Sequence, residues 1–333
     1  MSGTVDAGSV SHVGMVRSEN QDYAGQDSPT DSAIAATRGR VFIVCDGMGG
    51  HHGGSIASEL TVKGFLQAWQ GGSAESLSDR VNASLGAANM QVRSRAKNDP
   101  ALFQMGTTAV VVAIDGPTAV IAHIGDSRCY FFRGGRHELV THDHTYVNEL
   151  VQAGLITPEK AKTHHERNII TRCVGMADAL RVDFSMRELE NGDALLLCSD
   201  GLHNHVDSHE MQNAIAKFDS VAAAQSLVDL ANARGGDDNI TCMVLKIVDV
   251  GRPSRNNAEG VRRVVTRETP VAKRRATGRV EHGLATGDDI TRVIDTSSLA
   301  RQLNPGLSKT SKVLIACGVA ALLVLVAKWF KWI

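Results

Sequence analysis

Four apolar runs in this chain meet carboxylates. "VFIVCD" ends on Asp46, "AHIGD" on Asp126 and "ALLLCSD" on Asp200, while "GGDDN" places Asp237 and Asp238 just before "ITCMVLKI". A buried carboxylate without a partner is costly, so each of these asks for a helix N-terminus, a basic side chain or a metal ion. The runs are rich in Val, Ile and Leu and bounded by Gly or Asp, as buried strands are. Residues 107–114 and 119–126 are joined by a short turn, Asp115 to Thr118. Parallel strands need a much longer crossover, so the sheets are expected to be largely antiparallel. The end of one antiparallel strand lies beside the start of its neighbour, and distant acids can therefore gather at one edge.

Further strands are expected at 40–46, 128–133, 193–200 and 240–248. Helices are expected between them. Residues 55–70 and 77–97 carry apolar side chains at helical spacing. Thr157 before Pro158 marks another helix start, and Asp207 with Glu210 forms a capping-box pattern. The run 220–234 stops at Gly235-Gly236, as a helix C-terminus should. Strand blocks alternating with paired helices give an α/β (α+β) sandwich of mainly antiparallel sheets flanked by helices.

The 333 residues are 43 % hydrophobic, enough for a sizeable core, and the net charge of −1 provides no global field for nucleic acid. The six cysteines, including Cys317, show no CxxC spacing and most lie in apolar runs, which fits reduced thiols in a cytosolic domain. The first 30 residues lack an apolar signal region, so secretion is not expected. After about residue 248 the composition turns to Arg, Lys, Thr, Asn and Gly, and 249–312 reads as a basic, disordered linker. Residues 313–327, "VLIACGVAALLVLVA", are uncharged and apolar, and "KWFKWI" closes the chain. A bilayer core takes about 20 residues, so a span is expected over 313–333 if Lys328 and Lys331 snorkel beside Trp329 and Trp332. The three expected regions are 8–248, 249–312 and 313–333.

The carboxylates have no matching set of Lys or Arg in the same turns. Gathered acids repel unless something neutralises them, and hard divalent cations bound through oxygen, Mg²⁺ or Mn²⁺, are the natural answer. His and Cys do not stand at zinc-ligand spacing near these acids. A pair of such ions suits phosphoryl chemistry. Residues alone carry the reading to that point.

The ordered motifs resemble the metal-dependent protein phosphatase family (PPM, also called PP2C) in its bacterial form. They are "GMVRSENQD" (14–22), "CDGMGGHHGG" (45–54), "MGTTAV" (105–110), "HIGDSRCY" (123–130), "THDHTYVNELVQAG" (141–154), "RNIITRCVG" (167–175), "CSDGL" (198–202) and "GGDDNIT" (235–241). The resemblance implies the PP2C α-β-β-α sandwich over about 8–248. It implies that Asp46 bridges two Mn²⁺ or Mg²⁺ ions, that the Gly47 carbonyl helps bind the second, and that Asp200 and Asp238 complete the first. It also implies that Asp22 holds water of the metal shell, that Arg17 grips the substrate phosphate, and that Asp126 contributes to a third, weaker site. The segment 141–180 would be a flap beside the site. Gln21 stands where many members have an acid, and Asn204 where an Asp often supports the third metal. Met48 replaces the histidine proposed as general acid in eukaryotic relatives; His51, His52 and a metal-bound water are the alternatives.

The implied reaction is hydrolysis of phosphoserine and phosphothreonine in proteins by metal-activated water. The implied partners are phosphorylated proteins and a cognate bacterial Ser/Thr kinase, with the C-terminal helix in the cytoplasmic membrane and the catalytic domain in the cytoplasm. Two other readings stay open: a membrane-tethered pseudophosphatase that binds phosphoproteins, and a metal hydrolase acting on small phosphate esters.

Overall fold

The computed structural model describes residues 2–252, apart from 32–33, 35–37, 50–51 and 73–75. Gly50, His51, Cys317, the rest of the linker and the apolar run 313–333 lie outside the described residues. Among the described residues, no helix is long and apolar enough to cross a membrane.

Two antiparallel sheets lie between two helical layers. The first sheet contains β1 (Ser2–His12), β7 (Arg128–Arg133), β8 (Arg136–Leu139), β10 (Ala194–Cys198) and β11 (Ile240–Gly251), in the order β1-β11-β10-β7-β8. The second contains β2 (Asp22–Asp27), β3 (Arg40–Met48), β5 (Ala109–Asp115), β6 (Thr118–Ile124) and β9 (Asp183–Glu188), in the order β2-β3-β5-β6-β9, with the short β4 (Gly106–Thr107) paired to β3. β1 runs against β11 from Ser2 opposite Gly251 to His12 opposite Ile240, so the first sheet reaches past 8–248 at both ends.

The central strands are buried on both faces, which is why they read as unbroken apolar runs. Val41, Ile43 and Cys45 of β3 pack with Val111 and Ala113 of β5 beneath α1 (Gly53–Gly71) and α2 (Leu77–Lys97). The alternate residues, Phe42, Val44, Val110 and Val112, face Leu195, Leu197, Met243 and Leu245 of the other sheet. On its far side that sheet turns Leu196, Cys198 and Val244 towards Met211, Leu227 and Val228 of α6 (Ser208–Lys217) and α7 (Ser220–Ala233). The five described cysteines are free and buried.

The local signals act where they stand. The capping box of Asp207 and Glu210 opens α6, and Asp219 caps α7 by accepting from the Ala222 N–H. The segment 141–180 holds two short helices, α3 (Tyr146–Gln152) and α4 (Pro158–Lys162), with the Thr157 side chain accepting from the Lys160 N–H. A bridge between Thr145 and Ile170 closes the segment on itself, and one between Thr107 and Val174 fastens its C-terminal part to β4. The run 107–114 is not one strand. Thr108 interrupts it, because its N–H and hydroxyl both turn to Asp46.

Candidate metal and phosphate site

β2 and β3 pair so that Asp22 lies directly opposite Asp46. Asp46 sits two residues inside the end of β3, where the strand leaves β5 and takes up β4. Its backbone is fixed from three directions. Its N–H donates to Thr108 Oγ1 (2.9 Å), and its carbonyl accepts from the Thr107 hydroxyl (2.7 Å) and the Thr108 N–H (2.8 Å). Gly47 follows; a Cβ there would lie 2.1 Å from the Gly54 carbonyl oxygen, so only glycine lets the chain pass beneath the start of α1.

The other acids arrive from the opposite sheet. Asp200 opens α5 (Asp200–His203), immediately after β10 and Ser199. Asp238 precedes β11, and its Oδ2 accepts from Arg17 Nη2 at 2.8 Å. Asp126 follows Gly125 in the turn after β6, and its carbonyl contacts His203 Nε2 at 3.1 Å. Asn239 ties two of these loops together: its Oδ1 accepts from the Gln21 N–H, while its Nδ2 donates to the Val13 and Glu19 carbonyls. Ser199 joins the sheets at this edge. Its hydroxyl donates to Asp22 Oδ2 (2.7 Å) and accepts from the Thr241 N–H (2.9 Å).

The cluster is electrostatically unfavourable as it stands. Burial pushes the Asp22 carboxyl up to about 7, with Asp200 and Asp238 adding to the rise against hydrogen bonds from Ser199 and Thr241. Asp46 is held well above the ordinary carboxylate range by burial and then by Asp22, Asp200, Asp126 and Asp238. Burial also raises Asp126 to about 7 and Asp200 to about 6. Asp22 Oδ1, Asp126 Oδ1 and Asp200 Oδ1 are buried without a hydrogen-bond partner. Unpartnered buried oxygens on mutually repelling carboxylates are a hard, all-oxygen donor set, and that set fits Mg²⁺ or Mn²⁺.

A cavity of about 950 Å³ opens beside the cluster, between Asp126 and Asp200 on one side and Thr145, Asn148, Lys162 and Arg167 of the 141–180 segment on the other. Arg128, on its wall, is committed to Asp143 through Nε at 2.9 Å and Nη2 at 2.6 Å.

Known proteins share both the sequence pattern and the fold. The protein phosphatase 2C profile matches residues 17–239. The chain belongs to the protein phosphatase 2C family. It is 38 % identical over 244 residues to the protein phosphatase PhpP of Streptococcus pneumoniae, covering 71 % of this chain and 94 % of that one. Its fold is similar to the serine/threonine phosphatase of S. agalactiae, with a TM-score of 0.67 and 36 % identity, covering 73 % of this chain and 100 % of that one. It is similar also to the catalytic domain of the serine/threonine phosphatase PstP in complex with 2 manganese ions, with a TM-score of 0.64 and 32 % identity, covering 74 % of this chain and 99 % of that one.

Sequence reasoning missed several supports of this protein phosphatase 2C site. Ser199 carried no signal, since hydroxyls are common at strand ends. His203 and His205 are half-buried and bonded, His203 Nε2 to the Asp126 carbonyl at 3.1 Å and His205 Nε2 to Asp237 Oδ1 at 2.5 Å. His52 pairs with Glu19 at 2.9 Å on an exposed rim. A second cluster, His123, His144 and Asp183, brings its donor atoms within 4.8 Å of one another. Spacings of 21 and 39 residues hid it. His144 Nδ1 accepts from the Gly125 N–H (3.1 Å), and its Nε2 faces both Asp183 Oδ2 at 3.2 Å and Arg172 Nη1 at 3.3 Å. These contacts fasten the 141–180 segment to the end of β6 and the start of β9.

Proposed function

We propose that this chain is a metal-dependent protein phosphatase that hydrolyses phosphoserine and phosphothreonine in proteins. The observation that carries the reading is the trio of buried, unpartnered oxygens on Asp22, Asp126 and Asp200 around Asp46. Asp46, Asp200 and Asp238, with the Gly47 carbonyl, would hold two Mn²⁺ or Mg²⁺ ions, and Asp126 would contribute to a third. Bound there, such ions activate water near neutral pH and neutralise charge on phosphoryl oxygens. The protein's own groups do the positioning. Arg17, more than half exposed, has further N–H groups with which to grip two phosphate oxygens. Asp22 orients the attacking water by accepting a hydrogen bond at Oδ1. The 141–180 segment forms the far wall of the cavity that admits the phosphorylated side chain.

Phosphopeptide turnover with Mn²⁺ tests this. Activity should vanish with chelator and fall at least about a thousandfold in Asp46→Ala, as losses of groups that stabilise the transition state do; full activity in that variant would refute the site.

The cellular setting belongs to the same proposal. A phosphatase of this kind opposes a bacterial Ser/Thr kinase. The basic stretch 249–312 and the apolar run 313–333 support a single-pass anchor in the cytoplasmic membrane, with the domain on the cytoplasmic side. A tether raises local concentration towards substrates on the same membrane. Full-length protein should float with liposomes, and Leu322→Arg with Leu325→Arg should abolish flotation.

A further inference from the structure

Two of the proposed metal ligands sit on loops joined a second time, away from the strands. Asp200 and Asp238 are first brought together by β10 and β11, whose ends meet through Ser199 and Thr241. Beyond that point each loop turns outwards. The Asp200 loop runs through the single turn of α5 to His205, and the Asp238 loop begins at Arg234, the C-terminal end of α7. Here they meet again. His205 Nε2 bonds Asp237 Oδ1 at 2.5 Å, and Arg234 Nη1 donates to the His205 carbonyl at 2.6 Å. Arg234 also grips Glu210 with both terminal nitrogens, at 2.7 and 2.6 Å, so its own direction is set. Asp237 is the residue before Asp238, and both His205 and Asp237 line the cavity that contains Asp126 and Asp200.

We propose that the His205–Asp237 contact is a positioning clamp that fixes the separation of Asp200 and Asp238 and thereby sets the affinity of the site for its divalent cation. The inference rests on the metal-dependent reading above. Asp200 starts a four-residue helix, too short to hold its own orientation. Asp238 follows a Gly-Gly turn with both glycines at positive φ, outside any helix or strand that could aim it. Asn239 holds the Asp238 loop on its inner side, and the His205–Asp237 contact ties that loop to the Asp200 loop on the outer side. The side chain of Asp237 is mostly exposed, so the contact adds little to global stability, and its effect belongs to the site.

The test uses the full-length chain and three variants, His205→Gln, Asp237→Asn and the double substitution. Mn²⁺ binding is measured calorimetrically, together with kcat at saturating Mn²⁺ and the melting temperature of the metal-free protein. Each single variant should weaken Mn²⁺ binding on the order of tenfold, the usual consequence of removing a support of a metal ligand. The double should lose no more than either single, because both remove one contact. Saturating Mn²⁺ should restore most of kcat, and the metal-free melting temperature should stay within about 4 °C of wild type. Unchanged Mn²⁺ affinity in both singles would overturn the clamp. So would losses that add in the double, or a kcat deficit that saturating Mn²⁺ leaves in place for phosphoserine peptides but not for aryl phosphates, which marks a proton donor instead. A wild-type chain that binds Mn²⁺ yet hydrolyses no phosphopeptide defeats the proposed function, and the affinity series still decides the clamp.

Discussion

Asp22 and Asp46 face each other directly across β2 and β3. Like charges in opposed positions of an antiparallel pair destabilise a sheet, and here burial increases the cost. Folding alone does not favour such a pair.

The pH dependence of the metal-free domain follows. Asp22 and Asp126 rise to about 7 and Asp200 to about 6, while Asp46 stands well above its ordinary range. Acids whose folded pKa is raised bind more protons folded than unfolded, so their stabilising contribution is complete below about pH 4 and is lost as pH rises through 6 to 7. His203 acts in the opposite direction. Burial lowers it to about 4, so unfolding takes up a proton below its ordinary 6.5, and stability is lost as pH falls from there towards 4. Four carboxylates outweigh it. Chelated protein should melt at a lower temperature at pH 7.5 than at pH 5.5. Mn²⁺ should raise the melting temperature more at pH 7.5, where it competes with fewer protons. Scanning calorimetry at the two pH values, with and without Mn²⁺, checks both signs; equal Mn²⁺ shifts would count against a carboxylate site.

Ser199 donates to the buried Asp22 carboxylate and accepts from the Thr241 N–H. Ser199→Ala should cost about 1–3 kcal/mol, the range for stranding buried polar groups. In a domain of this size that is a fall of roughly 2–12 °C in melting temperature. Ser199→Thr retains the hydroxyl and should recover part of it. A melting curve unchanged in the alanine variant would show that neither bond stabilises the fold.

Strands buried on both faces were legible because every residue must be apolar, as in Val41–Cys45 and Leu195–Cys198. β1 was not, because its residues are mostly Gly, Ser, Asp and Thr and its place is set by pairing with β11, more than two hundred residues away. At the site, acids at strand ends announced themselves through the contrast with their apolar neighbours. Ser199 and His205 act through long-range bonds that leave no local pattern: Ser199 reaches back to Asp22, and His205 forward to Asp237. Cap signals such as Asp207 with Glu210 were legible because both partners lie within one turn.

Arg17 makes one bond to Asp238 and keeps most of its surface open. If its role is to receive phosphate, Arg17→Ala should lower kcat/KM for a phosphopeptide by about ten- to a hundredfold, the worth of a charged hydrogen-bond pair. Arg17→Lys retains charge but loses the planar fork, and should recover only part. Because the residue is exposed, melting temperature should move by less than about 3 °C. An alanine variant with wild-type kcat/KM would remove Arg17 from the site.

Gly201 provides the sharpest steric test. It lies within the turn of α5, where alanine is ordinarily the better helix former by about 1 kcal/mol. Yet a Cβ at this position would stand 2.1 Å from the Asn239 carbonyl oxygen, a distance that no Cβ tolerates, and the oxygen belongs to backbone that cannot swing away. Steric overlap outweighs propensity. Gly201→Ala should therefore destabilise the domain by about 3 kcal/mol or more, and it should weaken Mn²⁺ binding as well, because the displaced loops carry Asp200 and Asp238. Urea unfolding measures the first effect and calorimetric Mn²⁺ titration the second; a variant as stable as wild type would mean that the two loops do not approach as closely as described.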